Sequence, residues 1–117
     1  MDKRKYIEEI TRRLKTIEPL LIILFGSYVQ GKPDEESDID ILVVTDDDFI
    51  PSGFSDRLDY SLSVKKLISD IIKEVPVDLL VYSRPMFEKF VAMNSSFSRE
   101  ILEQGKKLYE SDNQRVA

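Results

Sequence analysis

The 117-residue sequence contains no cysteine and no histidine. Without cysteine there is no thiol nucleophile, no disulfide and no thiolate-bound zinc or iron–sulfur site. Without histidine there is no serine–histidine triad and no imidazole acid or base. Any catalysis falls to carboxylates, hydroxyls, Lys and Arg, or backbone groups, and among metals carboxylate and water ligands suit Mg²⁺ or Mn²⁺. Long apolar runs are missing too: none approaches the roughly 18–20 residues of a membrane span. The opening MDKRKYIEEI has no signal-peptide core, so a cytoplasmic location without a membrane partner is expected. Positive charge is in deficit, with 17 Lys and Arg against 22 Asp and Glu. A net charge of −5 opposes a sequence-independent grip on long nucleic acid, which needs clustered cations.

What is present fits one globular domain over residues 1–117, with 42% apolar and 33% charged residues, large enough to bury a core without disulfides or a structural metal. Lys3 to Thr16 has helical spacing at Tyr6/Ile7, Ile10, Leu14 and Ile17, and Pro19 closes it. Leu20 to Phe25 (LLIILF) is an apolar run of strand length, expected to be covered on both sides. Gly26-Ser27 breaks it, and a short helical turn over Tyr28 to Gly31 leads into a polar loop. Asp38 to Val44 reads as a strand with Asp38, Asp40, Leu42 and Val44 on one face. Thr45 to Ser55 carries three successive aspartates with Pro51 and Gly53 as breakers, and is expected to be mobile, its only apolar anchors Phe49, Ile50 and Phe54 being able instead to dock on a partner. Ser55 is the expected N-cap of one long helix to about Glu74, with Leu58, Leu62, Leu67/Ile68, Ile71/Ile72 and Val75 as its apolar positions. Val77 to Tyr82 (VDLLVY) is a third strand. A helix over Pro85 to Met93, another from Ser96 or Ser98 to Gly105, and a short edge strand over Lys107 to Glu110 complete an α/β (α+β) arrangement around a small mixed sheet.

The chemistry concentrates in LFGSYVQGKPDEESDIDILVV. Asp38 and Asp40, two apart on a strand, point the same way roughly 7 Å apart. Two such carboxylates repel each other and are costly to bury, and a divalent cation removes both problems. Asp78 enters another apolar strand at its second position. If that strand lies beside the first, the three carboxylates can hold two Mg²⁺ ions about 4 Å apart, the clamp used for in-line displacement at phosphorus. Gly26-Ser27 ends a strand before a helical turn, an arrangement that offers backbone N–H groups and a hydroxyl to a phosphate. A metal site beside a phosphate cradle implies a nucleoside triphosphate. Taken singly, each feature has a plainer reading: an acidic strand mouth for the aspartates, a capping role for Ser27, solvated charge for Asp46-Asp47-Asp48, and solvent-facing helix charge for Lys65, Arg84 and Lys89.

Gly26-Ser27, ten intervening residues, then Asp38-Ile39-Asp40, with Asp78 on a later strand, resembles the signature of the polymerase-beta-like nucleotidyltransferase superfamily. The small size resembles its minimal nucleotidyltransferases, the MntA-type antitoxins that pair with HEPN-domain toxins. The resemblance implies that Asp38, Asp40 and Asp78 are catalytic metal ligands for two Mg²⁺ ions, with Asp78 also the base for the incoming hydroxyl, and that Gly26 and Ser27 hold the β- and γ-phosphates of ATP. It implies AMP transfer to a hydroxyl with release of pyrophosphate, the acceptor being a tyrosine of a HEPN toxin. A chain this small needs its acceptor site completed by a partner chain or by a second copy of itself. Where members often carry Arg-Gly, this chain has Gln30-Gly31, and Lys32 is followed by Asp34, Glu35 and Glu36, which lowers the positive charge near the triphosphate. Two other readings are a slow or non-catalytic nucleotide-binding antitoxin that occludes its partner, its acidic loop docking on a basic surface, and a small-molecule nucleotidyltransferase acting on an antibiotic. An antibiotic acceptor predicts a deep acidic pocket.

Overall fold

The computed structural model describes residues 2–30 and 38–112, the Gln30 side chain excepted. Lys32, Asp34, Glu35 and Glu36 lie outside the described residues. The chain runs α1 (Lys3–Lys15), β1 (Leu21–Phe25), α2 (Ser27–Gln30), β2 (Ile39–Val44), α3 (Phe54–Lys65), a 3-10 turn (Lys66–Ile68), α4 (Ser69–Glu74), β3 (Val77–Tyr82), α5 (Arg84–Met93), α6 (Ser96–Gln104) and β4 (Lys106–Glu110). The strands form one sheet in the order β3-β2-β1-β4. β1 is antiparallel to both neighbours, whereas β2 and β3 are parallel, so the sheet is mixed. The parallel pair needs a crossover, which α3 and α4 supply.

Both faces of the sheet are covered, which explains why LIILF is apolar throughout and buried at every position. On one face Ile22, Leu24, Ile39, Ile41, Val43, Leu79 and Val81 pack against Ile10 and Leu14 of α1 and against Val64, Ile68, Ile71 and Val75. On the other, Leu21, Ile23, Phe25, Leu42 and Val44 pack against Phe87 and Phe90 of α5 and Ile101 of α6. Each such side chain contributes roughly 1.5–3 kcal/mol through burial. Three helices begin at side-chain caps: Asp2 accepts from the Arg4 N–H at 3.0 Å, Ser83 from the Met86 N–H at 3.4 Å and Ser95 from the Ser98 N–H at 3.1 Å.

The structure differs from the sequence expectation in two places. The long helix is broken: α3 begins after Gly53, not at a Ser55 cap, and ends in the 3-10 turn before α4. Val64, Ile68, Ile71 and Val75 keep helical spacing across the turn and reach the core, while Leu58 and Leu62, on another face of α3, stay exposed. The Thr45 to Ser55 loop is well anchored. Phe49 stacks on Tyr60 with ring centroids 4.2 Å apart, and its carbonyl accepts from the buried Ser83 hydroxyl at 2.6 Å. The Tyr60 hydroxyl donates to Asp47 at 2.7 Å and also contacts the Thr45 hydroxyl. Burial first, and then the Asp47 carboxylate, push the Tyr60 phenol above its ordinary value. Arg84 pairs with both Asp46 and Asp48. The three aspartates are thus partnered, and only Ile50 and Phe54 remain in this loop as apolar side chains open to solvent.

Candidate active site

The sheet brings the three strand-borne elements of the sequence motif together. β2 and β3 run in parallel register with Asp40 opposite Asp78, flanked by Ile39 opposite Val77 and Ile41 opposite Leu79. Side chains alternate along a strand, so Asp40 and Asp78 share the face that continues as Leu42, Val44, Leu80 and Tyr82, the face covered by α5 and α6. Asp38 stands one residue before β2 and is exposed, as is Asp78, while Asp40 is half-buried.

On its other side β2 pairs with β1, and Asp40 lies opposite Phe25, the last residue before Gly26. Gly26 has φ +79°, and a Cβ there would overlap Oδ2 of Asp40. Both facts select glycine: the left-handed backbone and the close approach of the carboxylate. Ser27 then opens α2, whose turn is closed by the Val29 N–H on the Gly26 carbonyl at 3.1 Å. Gly26 and Ser27 therefore sit on the β1 side of Asp40, and Asp78 on the β3 side.

The electrostatics of Asp40 carry information. Its carboxyl is pushed up to about 6, by burial first and then by the negative charges of Asp78 and Asp38. Among the described residues none of the three aspartates has a salt-bridge partner. Like-charged carboxylates gathered without an ion-pair partner are the donor set of a hard divalent ion. Among the described residues, no three acidic side chains already stand at the spacing of a closed metal site; Asp38 and Asp78 are exposed, which leaves their side chains room to turn toward an ion.

Sequence reasoning missed the residues beside Asp78. A shallow groove of about 200 Å³ is lined by Phe54, Arg57, Leu58, Lys65, Asp78 and Tyr82. Arg57 lies over the Tyr82 ring, 5.8 Å from its centroid. The signal was present in the exposed-face spacing of Phe54, Leu58 and Leu62, four apart, but the same residues also satisfy the pattern of a buried helix stripe. Among the described residues no helix is long and apolar enough to cross a membrane.

The chain matches the family described as Polymerase beta, Nucleotidyltransferase over residues 5–114. A Methanocaldococcus jannaschii protein provisionally named a protein adenylyltransferase is 40% identical over 114 residues, which cover 93% of this chain and all of that one. A second protein of that organism with the same provisional activity is 42% identical over 67 residues, 53% of this chain and 66% of its own. Among solved structures, a toxin–antitoxin with AMP-PNP superposes with a TM-score of 0.56 at 28% identity, covering 90% of this chain and 73% of that one. A variant MntA-HpeT toxin–antitoxin superposes with a TM-score of 0.50 at 27% identity, covering 96% and 75%. With the motif, the mixed sheet and a family match that spans nearly its whole length, the chain belongs to the polymerase beta nucleotidyltransferase family and is a nucleotidyltransferase.

Proposed function

We propose that this nucleotidyltransferase moves AMP from ATP onto a hydroxyl of a partner protein, a tyrosine of a HEPN-domain toxin, and thereby acts as the antitoxin of the pair. Asp38, Asp40 and Asp78 would hold two Mg²⁺ ions, which, when bound, neutralise phosphate charge and polarise the α-phosphoryl group. Gly26 admits the phosphates close to the backbone, and the Ser27 hydroxyl and neighbouring N–H groups hold the terminal two. Asp78 orients the acceptor and takes its proton. The acceptor oxygen forms a bond to the α-phosphorus, the bond from that phosphorus to the bridging oxygen of the β-phosphate breaks, and pyrophosphate leaves. Catalysis here is positioning and charge stabilisation, with little else for the protein to supply.

The observation that carries this reading is the register of Asp40 against Asp78, with Gly26 packed against the Asp40 carboxylate. The names of the relatives favour a protein acceptor and a toxin partner. The surroundings of Asp78 favour a protein over a cationic antibiotic, because the groove there is shallow and carries Arg57 and Lys65 in place of added carboxylates. The test is to incubate the chain with α-labelled ATP, Mg²⁺ and the protein encoded beside it. The neighbour should become labelled, and Asp38→Asn/Asp40→Asn should abolish the label. If that double variant still neutralises the neighbour fully in cells, occlusion is the biological mechanism and transfer is not.

A further inference from the structure

In-line displacement puts the attacking oxygen and the leaving pyrophosphate on opposite sides of the α-phosphorus. The strand order β1-β2-β3 sets the corresponding groups in a row: Gly26 and Ser27 after β1, Asp40 on β2, Asp78 on β3. Neighbouring strands are about 4.8 Å apart, so the acceptor must approach from beyond β3, which is an edge strand. The groove at Asp78 opens on that side. Through Arg57 and Tyr82, which line both, it continues into a wider concavity of about 730 Å³ that also includes Ile50, Met86, Lys89 and Phe97.

We propose that this continuous groove, from Asp78 past Arg57 and Tyr82 to Lys89, is the track for the acceptor polypeptide. Its occupant is an extended segment that places its hydroxyl at Asp78 and lays acidic and apolar side chains along the rest. The proposal rests on the transferase reading above and names what that reading leaves open, the sequence character of the acceptor.

Three observations specify the occupant. The groove is long and narrow at first: Asp78 to Tyr82 spans about 13 Å at about 3.3 Å per residue, room for about four extended residues before the wider end. Its charge is opposite to that of the whole molecule. In a chain of net charge −5, the lining supplies Arg57, Lys65 and Lys89, with Asp78 the one carboxylate among the described lining residues. None of those three cations has a salt-bridge partner among the described residues. The apolar part is equally open. Phe54 is 82% and Ile50 72% exposed, one at each end, although the loop that carries Ile50 is pinned by Phe49, Asp47 and Arg84. Exposed apolar side chains beside cations that lack a carboxylate partner among the described residues suit a segment of mixed acidic and apolar composition.

The probes are two fluorescein-labelled synthetic peptides of equal length, each with a central tyrosine, flanked on both sides by Glu and Leu in one and by Lys and Leu in the other. Anisotropy with the full chain, Mg²⁺ and a non-hydrolysable ATP analogue reads affinity; α-labelled ATP reads transfer. The Glu peptide should bind at least tenfold more tightly, and Arg57→Glu/Lys89→Glu should invert the order. If that variant does not fold, Arg57→Gln/Lys89→Gln should cut the preference to below about threefold. Equal affinities, or a preference that survives either variant, overturn the proposal. A wild-type dimer that charge reversal dissociates, without discrimination between peptides, gives the groove to a second copy and also overturns it. Equal labelling of both peptides removes the acceptor track and leaves the transferase standing. Binding of the Glu peptide without labelling removes the transferase reading, and with it the role of the groove as an acceptor track.

Discussion

Replacing Asp40 by Asn should stabilise the metal-free protein at neutral pH. The Asp40 carboxyl is raised from 3.8 to about 6, chiefly by burial and then by Asp78 and Asp38. The folded state therefore binds this proton more tightly than the unfolded state does. The sign follows by linkage: the native state suffers no penalty below about pH 4, and loses stability as the pH rises to about 6, where the carboxylate is charged. At about 1.4 kcal/mol per unit the full cost is about 3 kcal/mol, and solvent screening of this partly exposed group reduces it to about 1–2 kcal/mol. Asn keeps the shape and removes the charge. Urea unfolding of both proteins in EDTA from pH 4 to 8 should show Asp40→Asn ahead by about 1–2 kcal/mol above pH 6.5, or about 4–8 °C in Tm for a chain of this size. The gap should close by pH 4. Millimolar Mg²⁺ should then raise the wild type and leave the variant unmoved, since only a ligand of the native state stabilises it. A variant that is less stable than wild type at pH 8 in EDTA, or a gap that does not change with pH, would refute the electrostatic reasoning.

Gly26→Ala should cost about 1–2 kcal/mol for the left-handed backbone alone, and because its Cβ displaces Asp40, calorimetry should show weakened Mg²⁺–ATP binding as well. Tyr60→Phe removes the hydroxyl that meets Asp47 and Thr45; a loss of about 1–2 kcal/mol and faster hydrogen exchange at Phe49, whose N–H is held by Asp47 at 3.0 Å, should follow. Gly105→Ala should destabilise by about 1–3 kcal/mol through overpacking, since the added methyl meets the Ile101 carbonyl and the Ile23 side chain, with thermal unfolding as the measure. Arg84→Ala, by contrast, breaks two partly exposed ion pairs and should change Tm little.

The fold was legible wherever one residue property had one structural use. LIILF could only be a strand covered on both sides, and Pro19 and Pro76 bound their segments in the structure much as in the sequence. Asp38, Asp40, Asp78, Gly26 and Ser27 stood out because polar groups at the ends of buried strands need a reason. The region between Thr45 and Glu74 was less legible because its residues have several uses. Aspartates 46–48 read as solvated charge, yet their partners Arg84 and Tyr60 lie 13 or more positions away, a relation no local pattern contains. Leu58 and Leu62 keep the spacing of a core stripe, but they lie on a different face of α3 from Val64, the buried residue of that helix. The groove beside Asp78 was invisible for the same reason: Arg57 reaches it from α3 and Tyr82 from β3, 25 positions apart.

The pairing of Asp40 with Asp78 is a consequence of how the apolar core is divided. Val77, Leu79 and Val81 face α1, α3 and α4, while Leu80 and Tyr82 face α5 and α6. Sliding β3 by one residue against β2 would exchange the two sets. Leu79 and Val81, buried at 2% and 5% exposure, would leave their core, and Asp78 would move to the face where Ile39 and Ile41 are completely buried. Burying an unpaired carboxylate there costs several kcal/mol, and exposing Leu79 and Val81 to water adds roughly 1.5–3 kcal/mol for each. A two-residue slip restores the faces but puts Asp78 opposite Asp38 or opposite Leu42. It also breaks the bonds that now end the pair, Ile39 N–H to the Pro76 carbonyl at 3.0 Å and Thr45 N–H to the Tyr82 carbonyl at 2.8 Å. The hydrophobic pattern of VDLLVY and these two end bonds together thus fix the relative position of the two carboxylates although neither carboxylate contributes to the core. Leu80→Asp should therefore loosen the register and weaken Mg²⁺–ATP binding, read by calorimetry, without touching a single candidate ligand.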